Sequence, residues 1–161
     1  MIVVLSPAVE AAPTTFTRAS TMNSTKIVGI ASTAPIELKS AYGYQLTLKR
    51  LTAAIEAAGM TIFARIDHQA AASGVGLNML PATVLVYGNP IAGTPLMQAA
   101  PLIALDLPLR VLVREDASAA IYVSFHTGIS ITNSAGLEPG YAANLIKAEK
   151  LIANAIKLQL E

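Results

Sequence analysis

An imidazole beside a carboxylate is the first arrangement to weigh in this chain, because the two together can move a proton near neutral pH or take part of a metal site. One such pair occurs, Asp67-His68, closing the run Thr61-Ile-Phe-Ala-Arg-Ile66. His126 is the only other histidine, and cysteine is absent altogether. Thiol catalysis, disulfides, iron–sulfur clusters and Cys-ligated zinc are thereby excluded. Asp67 or His68 can in principle act as the general base of a hydrolase or isomerase-like enzyme. Adjacent residues of a strand point to opposite faces, however, so the two side chains need not meet, and a turn role accounts for them equally well. Two histidines without a thiolate make a metal site dependent on added carboxylates, so no metal, haem or other cofactor and no catalytic residue is expected.

Two further segments carry polar groups at places where strands end. Gly88-Asn89-Pro90-Ile-Ala-Gly93-Thr94-Pro95-Leu-Met97 leads from a strand into a helix. The expected helix start is Thr94-Pro95, with Thr as cap and Pro in the first turn, and its free N–H groups can face an anion. No Gly-Lys-Ser/Thr ending is present, so this is not a nucleotide-binding loop. Asp106-Leu-Pro-Leu-Arg110 sets an acid and a base around a proline, a pattern for a structural ion pair at a strand entry. If the strands are neighbours, Asp67, His68, Asn89, Thr94, Asp106 and Arg110 converge on one rim. Such a rim would offer an arginine and backbone donors to a small anionic or zwitterionic ligand.

The elements that must position these residues follow from apolar periodicity. Thr25–Ala31 reads as a strand, followed by an irregular extended stretch to about Tyr44. Leu48, Leu51, Ile55 and Ala58 recur at helical spacing with Gly59 at the stop position. Met60–Asp67 reads as a strand, Gln69–Gly76 as a short helix or turn, and Ala82–Gly88 as a strand. Leu109–Glu115 and Ala119–His126 form a hairpin around Asp116-Ala117-Ser118, and Tyr141, Leu145, Ala148, Ile152 and Ile156 mark a long C-terminal helix opened by Glu138-Pro139. Hairpin-linked strands without regular βαβ alternation predict an α+β, two-layer sandwich: a mainly antiparallel sheet with helices packed on one face.

Strand alternation then assigns the two faces. Ile62, Ala64, Ile66, Val84, Val86, Val111, Val113, Ile121, Val123 and Phe125 are expected beneath the helices. Phe63, Arg65, Asp67, Leu85, Tyr87, Arg110, Leu112, Arg114, Tyr122, Ser124 and His126 are expected on the open face. Within that face Arg65, Tyr87, Arg114, Tyr122 and His126 make a candidate interface, Tyr and Arg being favoured anchors there.

Composition bears on partners. The chain has 161 residues, 53% of them hydrophobic and 13% charged, with a formal net charge of +1. This suits one domain with a sizeable core and a surface prone to self-association, so a homodimer is expected. Near-neutral charge argues against nucleic acid, and no transmembrane span is expected. Residues 1–24 open on Met-Ile-Val-Val-Leu and small residues without a preceding basic region. They are expected to be a disordered lead-in or a residual signal segment before a single domain over 25–161. The compartment stays open: cytoplasmic, or periplasmic or secreted if the N-terminus is a clipped signal.

Phe63-Ala-Arg-Ile-Asp67-His68, Leu85-Val-Tyr-Gly88-Asn89-Pro90, Gly93-Thr94-Pro95-Leu-Met97, Ala104-Leu-Asp106-Leu-Pro108-Leu-Arg110 and Val113-Arg-Glu-Asp116 occur in this order. The combination resembles the DUF302 family, a domain of unknown function, over roughly Lys26 to Phe125. Ser40, Thr47 and Arg50-Leu51 resemble the family's helix-opening pattern, from which Tyr42-Gly-Tyr44 departs. The resemblance implies a compact α+β domain that associates as a homodimer, and it supplies no reaction, substrate or cofactor. Together these readings point to a non-catalytic homodimeric domain that binds a small molecule or a protein.

Overall fold

A computed structural model describes residues 34–158. The expected lead-in and the strand over Thr25–Ala31 lie outside them. Five antiparallel strands form one open sheet in the order β1-β5-β4-β3-β2: β1 (Ile36–Lys39), β2 (Thr61–Asp67), β3 (Ala82–Gly88), β4 (Leu109–Glu115) and β5 (Ile121–Phe125). Five helices accompany them: α1 (Tyr44–Ala57), α2 (His68–Gly74), α3 (Pro90–Ala99), α4 (Gly128–Ser134) and α5 (Ala143–Ala155). Short 3-10 turns at Pro101–Leu105 and Pro139–Ala142 lead into β4 and α5. The expected α+β class with an antiparallel sheet is the one observed.

The main core lies between the sheet and the pair α1 and α5. Leu48, Leu51 and Ile55 of α1 and Ala148, Ile152 and Ala155 of α5 bury their apolar stripes against Leu85, Tyr87, Val111, Val113, Val123 and Phe125. A smaller cluster of Leu96, Ile103, Ile131 and Leu145 seats α3 and α4 beside α5. The loop before α1 latches the far end of α5. Ala41 N–H donates to the Ile156 carbonyl at 3.0 Å, and the Tyr42 hydroxyl donates to the Lys157 carbonyl at 2.9 Å. Arg50 Nε donates to the Ala155 carbonyl at 2.8 Å, while its guanidinium lies 4.4 Å from the Tyr42 ring centre. Ser40 and Thr47, both buried, share a 2.7 Å hydrogen bond within this latch. The helix-opening residues Ser40, Thr47 and Arg50 therefore have a structural task.

The face assignment holds for β4, β5 and Ile62 of β2, and fails for β3 and for β2 beyond Ile62. In β3, Thr83, Leu85 and Tyr87 are buried under the helices, and Val84 and Val86 turn to the open face. Both alternating sets of this strand are apolar enough to be buried, and the polar atom of Thr83 is satisfied there by the Tyr44 hydroxyl at 2.7 Å. Alternation alone cannot fix the phase of such a strand. In β2 the register shifts between Ile62 and Ala64, so Ile62 opposes Tyr87 while Ala64 opposes Val86 and Ile66 opposes Val84. Phe63 is the extra residue of a β-bulge, and everything after it changes face. Ile66 is accordingly 44% exposed on the open face. Arg65 opposes Leu85 on the helix side, where this edge strand projects into solvent.

Three smaller expectations also shift. Helix α3 opens at Asn89-Pro90, because the Asn89 side chain accepts the Ile91 N–H at 2.8 Å and Pro90 fills the first position. The helix then continues through Pro95, whose missing N–H gives up one bond to the Ile91 carbonyl. Tyr141 sits in the turn before α5 and is 44% exposed, off the buried stripe. The extended stretch before Tyr44 contains β1, and α4 follows β5 where no helix was expected.

Candidate functional site

The end of the sheet where β3 runs out and β4 begins holds a cavity of about 180 Å3. Its walls come from separate stretches of chain: Phe63 at the bulge, Gly88-Asn89-Pro90, Gly93 and Thr94 of α3, the segment Leu107–Leu109 with its cis Leu107–Pro108 bond, and Asn144 and Leu145 of α5. None of the lining residues carries an ionisable side chain. Asn89 is committed to holding the wall: besides capping α3, its Nδ2 donates to the Gly59 carbonyl at 3.2 Å and ties this turn to the one between α1 and β2. Thr94 and Asn144 are the other polar residues of the lining, and Asn144 Oδ1 accepts a long hydrogen bond from Lys147 Nζ at 3.5 Å. Gly88 packs its backbone beside Pro108, where a Cβ would make an ordinary contact at 3.5 Å from Pro108 Cβ.

A second, polar cavity of about 20 Å3, room for roughly one water, lies behind Leu109 and Leu145, which line both. Tyr87, Asp106, Arg110, His126 and Glu149 surround it. Burial raises the Tyr87 hydroxyl well above the ordinary tyrosine pKa, and the nearby Glu149 charge adds to the effect. The Glu149 carboxylate accepts the backbone N–H of Gly128. Tyr87, expected on the open face, and Glu149, which no local sequence pattern reveals, come together here because β3 and α5 meet only in the folded domain.

The six expected rim residues are divided among three places. Asn89 and Thr94 line the apolar cavity, and Asp106 and Arg110 border the polar one. Arg110 Nη2 lies 3.6 Å from Asp106 Oδ1, an exposed pair consistent with the structural ion pair. Asp67 and His68 are at the opposite end of the sheet. Asp67 opposes Thr83 whereas Gly88 opposes Thr61, and five residues of strand separate those levels by about 17 Å. Asp67 caps α2 by accepting the Ala70 N–H at 2.9 Å, and His68 is the exposed first residue of that helix. The antiparallel pairing of β2 with β3 is the reason: two strand ends that look alike in sequence point in opposite directions.

Of the expected open-face set, Arg114 and Tyr122 are cross-strand neighbours on that face, with the guanidinium 4.8 Å from the ring centre. Arg114 also pairs with Glu37 at 2.8 Å, and Ser124 donates to the same carboxylate at 3.0 Å. The hydrogen bond from Arg114 is the main cause that holds the Glu37 carboxyl below its ordinary pKa. Tyr87 is buried on the other side, away from the open face expected of it, and His126 is exposed and borders the polar cavity. The middle of the open face is instead apolar, with Ala64 and Ile66 beside Val84 and Val86, and Leu112 opposite Val84.

The family model for the domain of unknown function DUF302 matches residues 36–158. The chain belongs to the DUF302 family. Its DUF302 domain thus begins at β1 and ends just beyond α5. The crystal structure of an uncharacterized conserved DUF302 protein from Bacillus stearothermophilus superposes with a TM-score of 0.66 at 15% identity, covering 78% of this chain and 97% of that one. This likeness shows the shared fold. An 89-residue stretch, 55% of the chain, is 37% identical to the fluoride-specific ion channel FluC 1 of Brucella suis biovar 1 and to FluC 2 of Brucella melitensis biotype 1. It covers 35% and 33% of those proteins, so this chain spans about a third of the length of the curated relatives it matches. Among the described residues, no helix is long and apolar enough to cross a membrane.

Proposed function

We propose that this DUF302 protein is a non-catalytic, homodimeric binding domain that takes a small, uncharged, mainly apolar molecule in the 180 Å3 cavity. The observation that carries this reading is the lining itself. The segments that carry the family resemblance supply most of its walls, and its polar side chains are amides and hydroxyls. A dry apolar cavity of about 150 Å3 takes benzene, so the space suits a single ring or a short aliphatic chain with one hydrogen-bonding group to meet Thr94 or Asn144. An anion would enter without a cation to receive it, since Arg110 is turned to Asp106 outside this lining. The ligand class is therefore displaced from the anionic or zwitterionic one expected of the rim.

The dimer part of the reading is supported by the open face. Its middle is an apolar strip, and the segment before β3 adds further exposed apolar side chains, Val75, Leu77, Met79 and Leu80 being 73%, 64%, 42% and 47% exposed. Beside the strip lie both signs of charge, Lys39, Arg110 and Arg114 with Glu37, so a second copy related by a two-fold can meet it with opposite charges.

The ligand reading is tested by thermal unfolding with indole, toluene and 1-hexanol, with acetate and phosphate as anionic controls. Saturating apolar probe should raise the melting temperature by a few degrees, because only the folded state has the cavity. Gly93→Leu is the decisive variant. A Cβ at position 93 meets only Leu107 Cδ1, at 3.9 Å, and leucine is the better helix former, so the variant should fold while filling the space. Apolar probes that leave the melting temperature unchanged, or that stabilise Gly93→Leu as much as the parent, would refute the assignment.

A further inference from the structure

Independently of the cavity, we propose that the outer groove between α1 and α5 docks an acidic amphipathic helix of a partner protein. The groove is open, with a volume of about 670 Å3. Arg50 stands on the α1 side and Lys147 and Lys150 on the α5 side, over an apolar floor that includes Ala53, Ala54 and Leu151. No acidic residue lines it. The two helices carry one glutamate each, Glu56 outside the lining and Glu149 turned toward Gly128 of α4. Among the described residues the ion pairs are Arg110–Asp106 and Arg114–Glu37, so none of the three groove cations has a carboxylate partner.

Uncompensated cations on both walls call for an anionic occupant, and the shape selects among anionic surfaces. The lining runs over Arg50–Ala54 of α1 and Lys147–Ala155 of α5, about 6 and 12 Å of helix, enough for two to three turns of a docked helix. A floor of alanines allows another helix to approach closely, ridge into groove. Its apolar stripe would lie on Ala53, Ala54 and Leu151, and its flanking Asp or Glu residues would meet Arg50 on one side and the two lysines on the other. A bilayer surface fits less well, because the apolar area between the cations is limited to a few small side chains and Leu151, too little to insert among acyl chains. Arg50 is also preorganised. Its Nε bond to the Ala155 carbonyl and its stacking on Tyr42 fix the guanidinium before any partner arrives, so less side-chain freedom is lost on docking.

The test uses the full chain and fluorescence anisotropy of a labelled 16-residue helical peptide with Ala and Leu along one face and Glu on both flanks. The same peptide with Gln in place of Glu, and vesicles containing phosphatidylglycerol, serve as comparisons. The Glu peptide should bind about ten-fold or more tighter than the Gln peptide at low salt. That preference should collapse near 1 M salt, where the Debye length is about 3 Å. The double substitution Lys147→Glu and Lys150→Glu alters two exposed side chains, and circular dichroism checks that it folds; it should abolish the preference, whereas Arg65→Glu on the exposed edge strand β2, outside the groove, should leave it. Equal binding of the two peptides, an unaffected double variant, or capture by vesicles without binding of the Glu peptide would overturn the proposal.

Discussion

Gly128 decides how closely α4 approaches α5. A Cβ at this position would fall 2.4 Å from Leu145 Cβ and 3.3 Å from the Leu145 carbonyl carbon, and the glycine's own N–H is held by Glu149. Contacts with a neighbouring helix backbone cannot be relieved by a rotamer change, so the two helices would have to separate. Gly128→Ala should cost about 1–3 kcal/mol in urea unfolding, the usual range for overpacking; an unchanged midpoint would show that α4 is free to move. Because Leu145 lines both cavities, the same substitution should also weaken binding of apolar probes. Nothing near Gly128 in the sequence announces this role, since the partner side chain is 17 residues away and belongs to a helix whose angle only the folded core sets. Asn89 is the opposite case. Its Asn-Pro step reads as the close of a strand, with the helix start placed one turn later at Thr94-Pro95, although the Asn-Pro step is itself a local cap signal; the additional bond to Gly59 depended on tertiary structure.

Among the elements, α1, β4, β5 and α5 were legible because each has one apolar and one polar side, so the period and its phase are visible together. The phases of β2 and β3 were not. A β-bulge has no sequence mark of its own, and a strand such as Ala-Thr-Val-Leu-Val-Tyr-Gly can bury either set of side chains. The two strands therefore give a paired test. Leu85→Ala should cost about 2–5 kcal/mol, as expected for a fully buried leucine. Ile66→Ala, at a residue 44% exposed, should cost under about 1 kcal/mol in the monomeric state, since little of its side chain leaves water on folding. Equal losses in chemical denaturation would place Ile66 beneath the helices and remove the bulge. The candidate site was half legible for a different reason: the segments around Phe63, Gly88-Asn89-Pro90, Gly93-Thr94 and Leu107–Leu109 were singled out in sequence, but the wall from α5 was not, and strand direction leaves Asn89 and Thr94 on the cavity while sending Asp67 and His68 to the far end of the sheet.

For the whole molecule, the apolar centre of the open face is the feature with the largest expected effect. Sedimentation at micromolar concentration should give about twice the 16.7 kDa chain mass. Leu112→Glu, which sets a charge in the middle of the strip opposite Val84, should return the protein to a monomer with its fold intact; a dimer that survives it would place the contact elsewhere. The sheet's edges bear on a different kind of association. Strand β1 is only four residues long, while β2 is interrupted by its bulge and leaves Arg65 and Asp67 in solvent. A short edge and a kinked, charged one are poor templates for another chain's backbone. Joining by faces uses up the sticky surface in a single event, whereas joining by edges would regenerate a sticky end each time. Light scattering on a concentrated solution should thus level off at a fixed particle size, and a deletion of Phe63 that straightens β2 should let that size climb without limit.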